Sequence, residues 1–223
     1  MSGIEVPGIR KPNTPIKLVL ATHNAHKVEE LRTILSADLE GIELIAYDGP
    51  DPVEDGETFA ENALIKARAA SAHTGLPAIA DDSGISVDAL GGQPGIHSAR
   101  YAGTRNDSDN VDLLLANLEG ITSRSARFEC AAALVVPPSI EVVGPDGPAD
   151  AAVASEFVEI GTWHGTVLDR RSGEHGFGYD PVFAPDGAVG SSADLTPAEK
   201  NAASHRALAF RRLAPIVRSE LGV

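Results

Sequence analysis

The chain predicts an α/β domain, and three observations carry the prediction. Residues 16–21, Ile-Lys-Leu-Val-Leu-Ala, have the pattern of a buried strand; a polar loop follows, and Val28, Leu31, Ile34 and Leu35 then recur at helical spacing. Thr58-Phe59-Ala60-Glu61 has the spacing of a capping box and opens an alanine-rich helical run to His73, with Gly75 placed to end it. Pro77-Ala78-Ile79-Ala80 reads as another short buried strand, so strands and helices alternate in the order typical of α/β folds. The 223 residues suffice for one large domain or two closely packed lobes.

Composition narrows the class further. Lys and Arg total 18 against 32 Asp and Glu, a net charge of −14, which argues against nucleic acid or an anionic membrane as the main partner. The lone cysteine, Cys130, sits in an apolar run as a small core residue; a reducing cytoplasm is the simplest compartment. No apolar run approaches the roughly 18 residues of a membrane span. Residues 1–15 read as a loose extension, and residues 16–223 as the folded unit.

In chain order, Thr22-His23-Asn24-Ala25-His26-Lys27 links the first strand to the first helix. Free N–H groups at a helix start favour an anion, whereas a lysine in the first turn opposes the dipole, so a bound phosphate would satisfy both. The plainer alternative is that Thr22 or Asn24 caps the helix and Lys27 is solvated. A strand is expected over residues 42–46, followed by an acidic, turn-rich loop over 49–56 that contains Glu54. On the capped helix, Asn62 and Lys66 lie four apart and share a face.

The strand at residues 77–80 is expected to stop at Asp81-Asp82-Ser83-Gly84, either as a turn that bonds its own backbone or as a ligand site beyond a strand end. Adjacent side chains on a strand face opposite ways, so the two aspartates should differ in role. A further strand is expected within 85–90, then a Gly-rich loop, His97-Ser98-Ala99-Arg100-Tyr101 and a short helix over 110–118. Residues 128–136 and 157–167 have strand character, and the Pro-, Gly- and Ala-rich stretch 137–154 between them reads as a mobile insertion. Gly176-Phe177-Gly178-Tyr179-Asp180 offers either a loop where Phe177 stacks on a flat ligand or a glycine-kinked strand with core aromatics. One last helix is expected from Thr196-Pro197-Ala198-Glu199, with Ala202, Ala209 and Leu213 inward, Lys200, His205 and Arg206 facing a cleft, and a kink or stop at Pro215.

These blocks together resemble one family. Thr22-x-Asn24-x-x-Lys27, Glu54, Thr58-Phe59-x-Glu61-Asn62-Ala63-x-x-Lys66-Ala67, Ala80-Asp81-Asp82-Ser83-Gly84, Pro94-Gly95-x-x-Ser98-Ala99-Arg100-Tyr101, Gly176-Phe177-Gly178-Tyr179-Asp180-Pro181 and Ser204-His205-Arg206 are similar to motifs of the inosine triphosphate pyrophosphatase family, in the same order. The resemblance implies a two-lobed α/β fold around a long mixed sheet, a nucleotide cleft between the lobes and a homodimer. It implies hydrolysis of ITP, dITP or XTP to the monophosphate and pyrophosphate, with Mg2+ as cofactor.

Carried over by residue, the resemblance gives the triphosphate to Thr22, His23, Asn24, Ala25, His26 and Lys27, and the metal to Glu54 and Asp82. Asp82 and Lys66 become the catalytic pair, and Ser83 contacts substrate. Phe177 would stack on the purine, with Gly178, Tyr179, Asp180, Lys200, His205 and Arg206 around base and sugar. Two other readings compete: an aspartyl phosphatase with Asp82 as nucleophile, and a nucleotide-binding module without turnover. The first is disfavoured, because that chemistry usually wants carboxylates two residues apart on one face.

Overall fold

The structure is a computed structural model that describes residues 15–36, 38–138 and 154–223. Six strands form one mixed sheet in the order β2-β1-β3-β4-β5-β6. β1 (Ile16–Leu20) runs parallel to β2 (Ile42–Ala46) and to the start of β3 (Ala78–Val87), and the crossovers are α1 (Ala25–Leu35) and α2 (Phe59–Thr74). From β3 onward every pairing is antiparallel, through β4 (Ser125–Val136), β5 (Ser155–Val167) and the short β6 (Phe183–Pro185). α3 (Asp107–Asn117) precedes β4, while α4 (Pro197–Ala203) and α5 (His205–Leu221) close the chain.

The period of two along each strand sorts the core by face. Leu18 and Leu20 of β1, Ile79 of β3, and Cys130, Ala132 and Leu134 of β4 pack under α1 and α5. Their neighbours Val19, Ala78, Ala80, Ala131, Ala133 and Val135 pack under Ala63, Ala67 and Ala70 of α2. Small side chains on both surfaces let α2 lie close to the sheet. At the far ends of β3 and β4, Ile85, Val87 and Phe128 build a separate core with α3, Tyr179 and Phe183. The long strands therefore run through two lobes, which is the expected α/β architecture.

Several local expectations are corrected. β3 does not stop at Asp81; it continues through Asp82, Ser83 and Gly84 to Val87, so residues 85–87 belong to the same strand. The reason is a partner that the local sequence does not reveal: β4 pairs with β3 along its whole length, from Ala78 opposite Val135 to Val87 opposite Ala126. β1 pairs with Ala78 and Ile79 alone, so β3 leaves the parallel part of the sheet just before the two aspartates. The Gly176 to Asp180 segment is a turn leading to a single 3-10 turn at Asp180–Val182, and strand resumes only at Phe183.

The expected final helix is two helices. Ser204, in extended conformation, ends α4 and caps α5 by accepting from the Ala207 N–H. That break resets the helical phase and leaves Ala202 exposed, whereas Ala209 and Leu213 are buried as expected. Pro215 neither stops nor divides α5, which runs on to Leu221. The expected extension over 1–15 and insertion over 137–154 lie outside the described residues, apart from Pro15, Pro137, Pro138 and Ala154.

The start of α5 is pressed against the sheet at Gly161 of β5, where a Cβ would collide with the His205 carbonyl and the Ala209 N–H. Gly161→Ala is expected to cost about 1–3 kcal/mol, because backbone atoms cannot yield as a side chain does. Urea denaturation reads the effect; an unchanged midpoint would mean that α5 lifts off the sheet without cost.

Candidate active site at the lobe junction

Where β3 leaves β1, its two consecutive carboxylates fall on opposite faces of the sheet. Asp81 shares the face of Ile79 and meets residues from α1 and α5; Asp82 shares the face of Ala80 and meets α2. Each is matched by its own lysine.

On the first face Asp81 is 3% exposed. Its Oδ2 accepts from Lys27 Nζ at 2.9 Å and from Arg206 Nε at 3.2 Å, with Ser83 Oγ at 3.4 Å and Cys130 Sγ at 3.9 Å. Burial alone would raise its pKa, but Lys27, Arg206 and Lys66 outweigh burial and hold the carboxyl well below the usual carboxylate range. Arg206, also almost wholly buried, donates through Nη1 to Glu30 Oε2 at 2.7 Å and through Nη2 to Ser83 Oγ at 2.9 Å. Burial would lower its pKa, yet Asp81 and Glu30 keep it raised. Asp81 Oδ1 and Glu30 Oε1 are buried with no hydrogen-bond partner.

On the second face Lys66 Nζ bridges Glu54 Oε2 at 3.0 Å and Asp82 Oδ1 at 3.2 Å. Asn62, one helical turn earlier, donates through Nδ2 to Asp82 Oδ2 at 3.2 Å, so the helical face shared by Asn62 and Lys66 is aimed at the aspartate. Burial pushes the Asp82 carboxyl above its ordinary value despite Lys66. The Lys66 ammonium is itself raised: burial works against the charge, but Asp82, Asp81 and Glu54 together prevail. Glu54 and Lys66 thus converge on Asp82, an acid whose proton affinity is increased.

A third group adjoins Arg206. Lys200 Nζ lies 4.9 Å from the centre of the Phe177 ring, and the Arg206 guanidinium carbon 5.7 Å from it. Asp180 organises this corner: its Oδ2 accepts from Lys200 Nζ at 2.5 Å and from the Phe177 N–H at 2.8 Å, and its Oδ1 from Ser192 Oγ at 2.9 Å. Asp180 is 2% exposed, so its oxygens are engaged inside the protein. The Gly178 N–H donates to Asp107 Oδ2, and the buried Tyr179 hydroxyl donates to the Ser98 carbonyl, so both join this corner to the second lobe. The His205 ring stacks on Phe128 at 4.7 Å with Nδ1 buried and unpartnered; burial, with Arg206 and Lys200 nearby, keeps it neutral.

The Thr22 to Lys27 segment crosses the end of β1 into α1. Asn24 Oδ1 accepts from the Lys27 N–H at 3.2 Å, as a cap does, and Thr22 Oγ1 accepts from the Asn24 N–H. His23 turns away to Asp51 at 2.7 Å and stacks on Tyr47. Ala25 and His26 are the first residues of α1. The structure therefore joins Lys27, Ser83, Arg206, Phe177, Lys200 and Asp180 in one chain of contacts, and Glu54, Lys66 and Asp82 in another. Four participants were not singled out as site residues from the sequence: Asp81, Glu30, Asn62 and Ser192. For Asp81 and Asn62 the signal was present, in the paired acids and in the i, i+4 spacing to Lys66; Glu30 and Ser192 depend on long-range packing.

The model of the Ham1 family matches residues 18–216. A relative from Streptomyces avermitilis named dITP/XTP pyrophosphatase is 50% identical over 215 residues, covering 92% of this chain and 99% of its own. One of the same name from Leifsonia xyli is 47% identical over 207 residues, covering 92% and 96%. Among solved structures, a HAM1 protein from Coxiella burnetii superposes with a TM-score of 0.76 at 38% identity, covering 92% of this chain and 99% of that one.

Asp81→Asn is expected to destabilise the fold by about 3–5 kcal/mol, since it leaves Lys27 and Arg206 short of a buried counter-charge. Urea denaturation measures it; a loss below about 1 kcal/mol would show that Glu30 and Ser83 suffice for Arg206.

Proposed function

Because the chain belongs to the Ham1 family, we propose that it hydrolyses the non-standard purine nucleoside triphosphates ITP, dITP and XTP to the monophosphate and pyrophosphate, removing them from the nucleotide pool. The observation that carries this reading is the pairing of two adjacent acids with two lysines from different helices at the lobe junction. One lysine suits a phosphate chain, and the other stands between carboxylates suited to a metal.

Lys27, in the first turn of α1, can exchange its bond to Asp81 for phosphate oxygens; its ammonium has three donors and spends one here. The N-terminal N–H groups of α1 would add to its attraction for an anion. Glu54 and Asp82 are hard oxygen donors that share one ammonium, and Mg2+ is commonly held by one or two carboxylates together with substrate phosphates. Substrate phosphates and water would complete its coordination, as is common for Mg2+. Bound there, Mg2+ would neutralise phosphate charge and polarise the bond to be cut.

Asp82, as a ligand of that cation, would orient the attacking water rather than act as a strong base, because a bound cation lowers a carboxylate's proton affinity, and Lys66 beside it can stabilise the carboxylate or a phosphate oxygen. Phe177 offers a ring for the purine. Lys200 and Arg206 next to it carry only donors, which favour a 6-oxo group over a 6-amino group. Homodimeric assembly and a cytoplasmic location complete the proposal; no helix among the described residues is long and apolar enough to cross a membrane.

Purified protein given ITP and ATP in parallel, with Mg2+ or with chelator, should form pyrophosphate and IMP only with Mg2+ and much faster from ITP. Orthophosphate with IDP would place the cut at the terminal phosphate, and tight ITP binding without turnover would leave a binding module. Asp82→Asn is expected to lower kcat about 10²–10⁴-fold with folding intact; a fully active variant would remove Asp82 from the chemistry. Phe177→Ala should weaken nucleotide binding by about 1–3 kcal/mol, and an unchanged KM would move the base elsewhere.

A further inference from the structure

Glu54 comes from the loop before α2 and Asp82 from β3. Asn62 of α2 touches both segments. Its Oδ1 accepts from the Gly56 N–H at 2.9 Å, two residues beyond Glu54, while its Nδ2 donates to Asp82 Oδ2 at 3.2 Å. A flipped amide would set N–H against N–H and carbonyl against carboxylate, so the partners dictate the orientation. Asn62 is 3% exposed, and its partners leave the side chain little freedom.

The loop is gripped beyond this one bond. Glu61 Oε2 accepts from the Glu57 N–H at 2.7 Å and from the Thr58 N–H at 3.1 Å. Three consecutive N–H groups after Glu54 are thus held by the first turns of α2. The fit at Gly56 is close: an added Cβ would lie 2.7 Å from Asn62 Oδ1 and from Glu61 Cβ. By occupying Asp82 Oδ2, Asn62 also leaves Oδ1 turned toward Lys66 and Glu54.

Resting on the metal-dependent reading above, we propose that Asn62 is a positioning residue that sets the Glu54 loop and the Asp82 carboxylate in register for a shared divalent cation. It touches neither substrate nor metal. Groups that orient ligands in this way typically govern metal affinity by about 10–100-fold.

The test uses two variants that break the link from opposite ends. Asn62→Leu keeps the volume and removes the amide, while Gly56→Ala keeps Asn62 and pushes the loop away from it, so the link remains testable if one variant fails to fold. Mn2+ binding is titrated by electron paramagnetic resonance with α,β-methylene-ITP present, and the Mg2+ concentration for half-maximal ITP turnover is measured beside it. Both variants should bind Mn2+ about 10-fold or more weakly and need correspondingly more Mg2+, with nucleotide KM at saturating metal little changed. Lower thermal stability with unaltered Mn2+ affinity in both variants would reduce Asn62 to a loop clasp and overturn the proposal. Wild-type protein that binds no Mn2+ would overturn the metal reading and this proposal together, whereas Mn2+ binding without ITP turnover would sink the hydrolase reading alone.

Discussion

Two consecutive carboxylates on an unbroken strand cannot face the same side of a sheet, and the rest of the site follows from that constraint. Asp81 and Asp82 sit in the middle of β3, held there by a ladder to β4 that runs from Ala78 to Val87. A buried carboxylate needs a counter-charge, and on opposite faces each is bonded by a lysine of its own. Lys27 of α1 therefore answers Asp81, and Lys66 of α2 answers Asp82. The crossover helices that build the parallel half of the sheet thus also deliver its cations.

The electrostatic balance of the lobe junction differs from that of the molecule. The whole chain carries a net charge of −14, yet three of its five lysines lie at the lobe junction, each against a carboxylate. Paired in this way, Lys27 and Lys66 are held at the lobe junction rather than turned to solvent. On the proposed reading, a triphosphate and a divalent cation bring opposite charges to the same two places, and the internal pairs are what they would replace. Arg206 differs, being tied to Glu30, Asp81 and Ser83 at once, so it serves as a fixed wall for Phe177.

Much of this was legible beforehand where the physics is local. The capping box at Thr58 and Glu61, the shared face of Asn62 and Lys66, and the opposed faces of Asp81 and Asp82 follow from helix and strand periods, and each is found in the structure. The end of β3 is not legible locally, because Asp-Asp-Ser-Gly has turn chemistry and a distant strand, β4, keeps it extended. The break between α4 and α5 is hidden for a similar reason. Ser204 is a good cap, but whether a cap is used inside a helical run depends on what the next helix packs against, here Gly161 of β5.

By itself, then, the sequence determined the alternation of strands and helices, the capped start of α2, and the faces of Asn62, Lys66, Asp81 and Asp82, since these rest on contacts within a few positions of the chain. Only the tertiary structure decided which charges meet. Asp81 with Arg206 spans 125 residues and Glu30 with Arg206 spans 176, and no local period encodes such a pairing. It also decided that Asp180 and Tyr179 spend their polar atoms on Lys200, Ser192 and the Ser98 carbonyl, because a buried polar group must find its partner wherever the packed chain brings one.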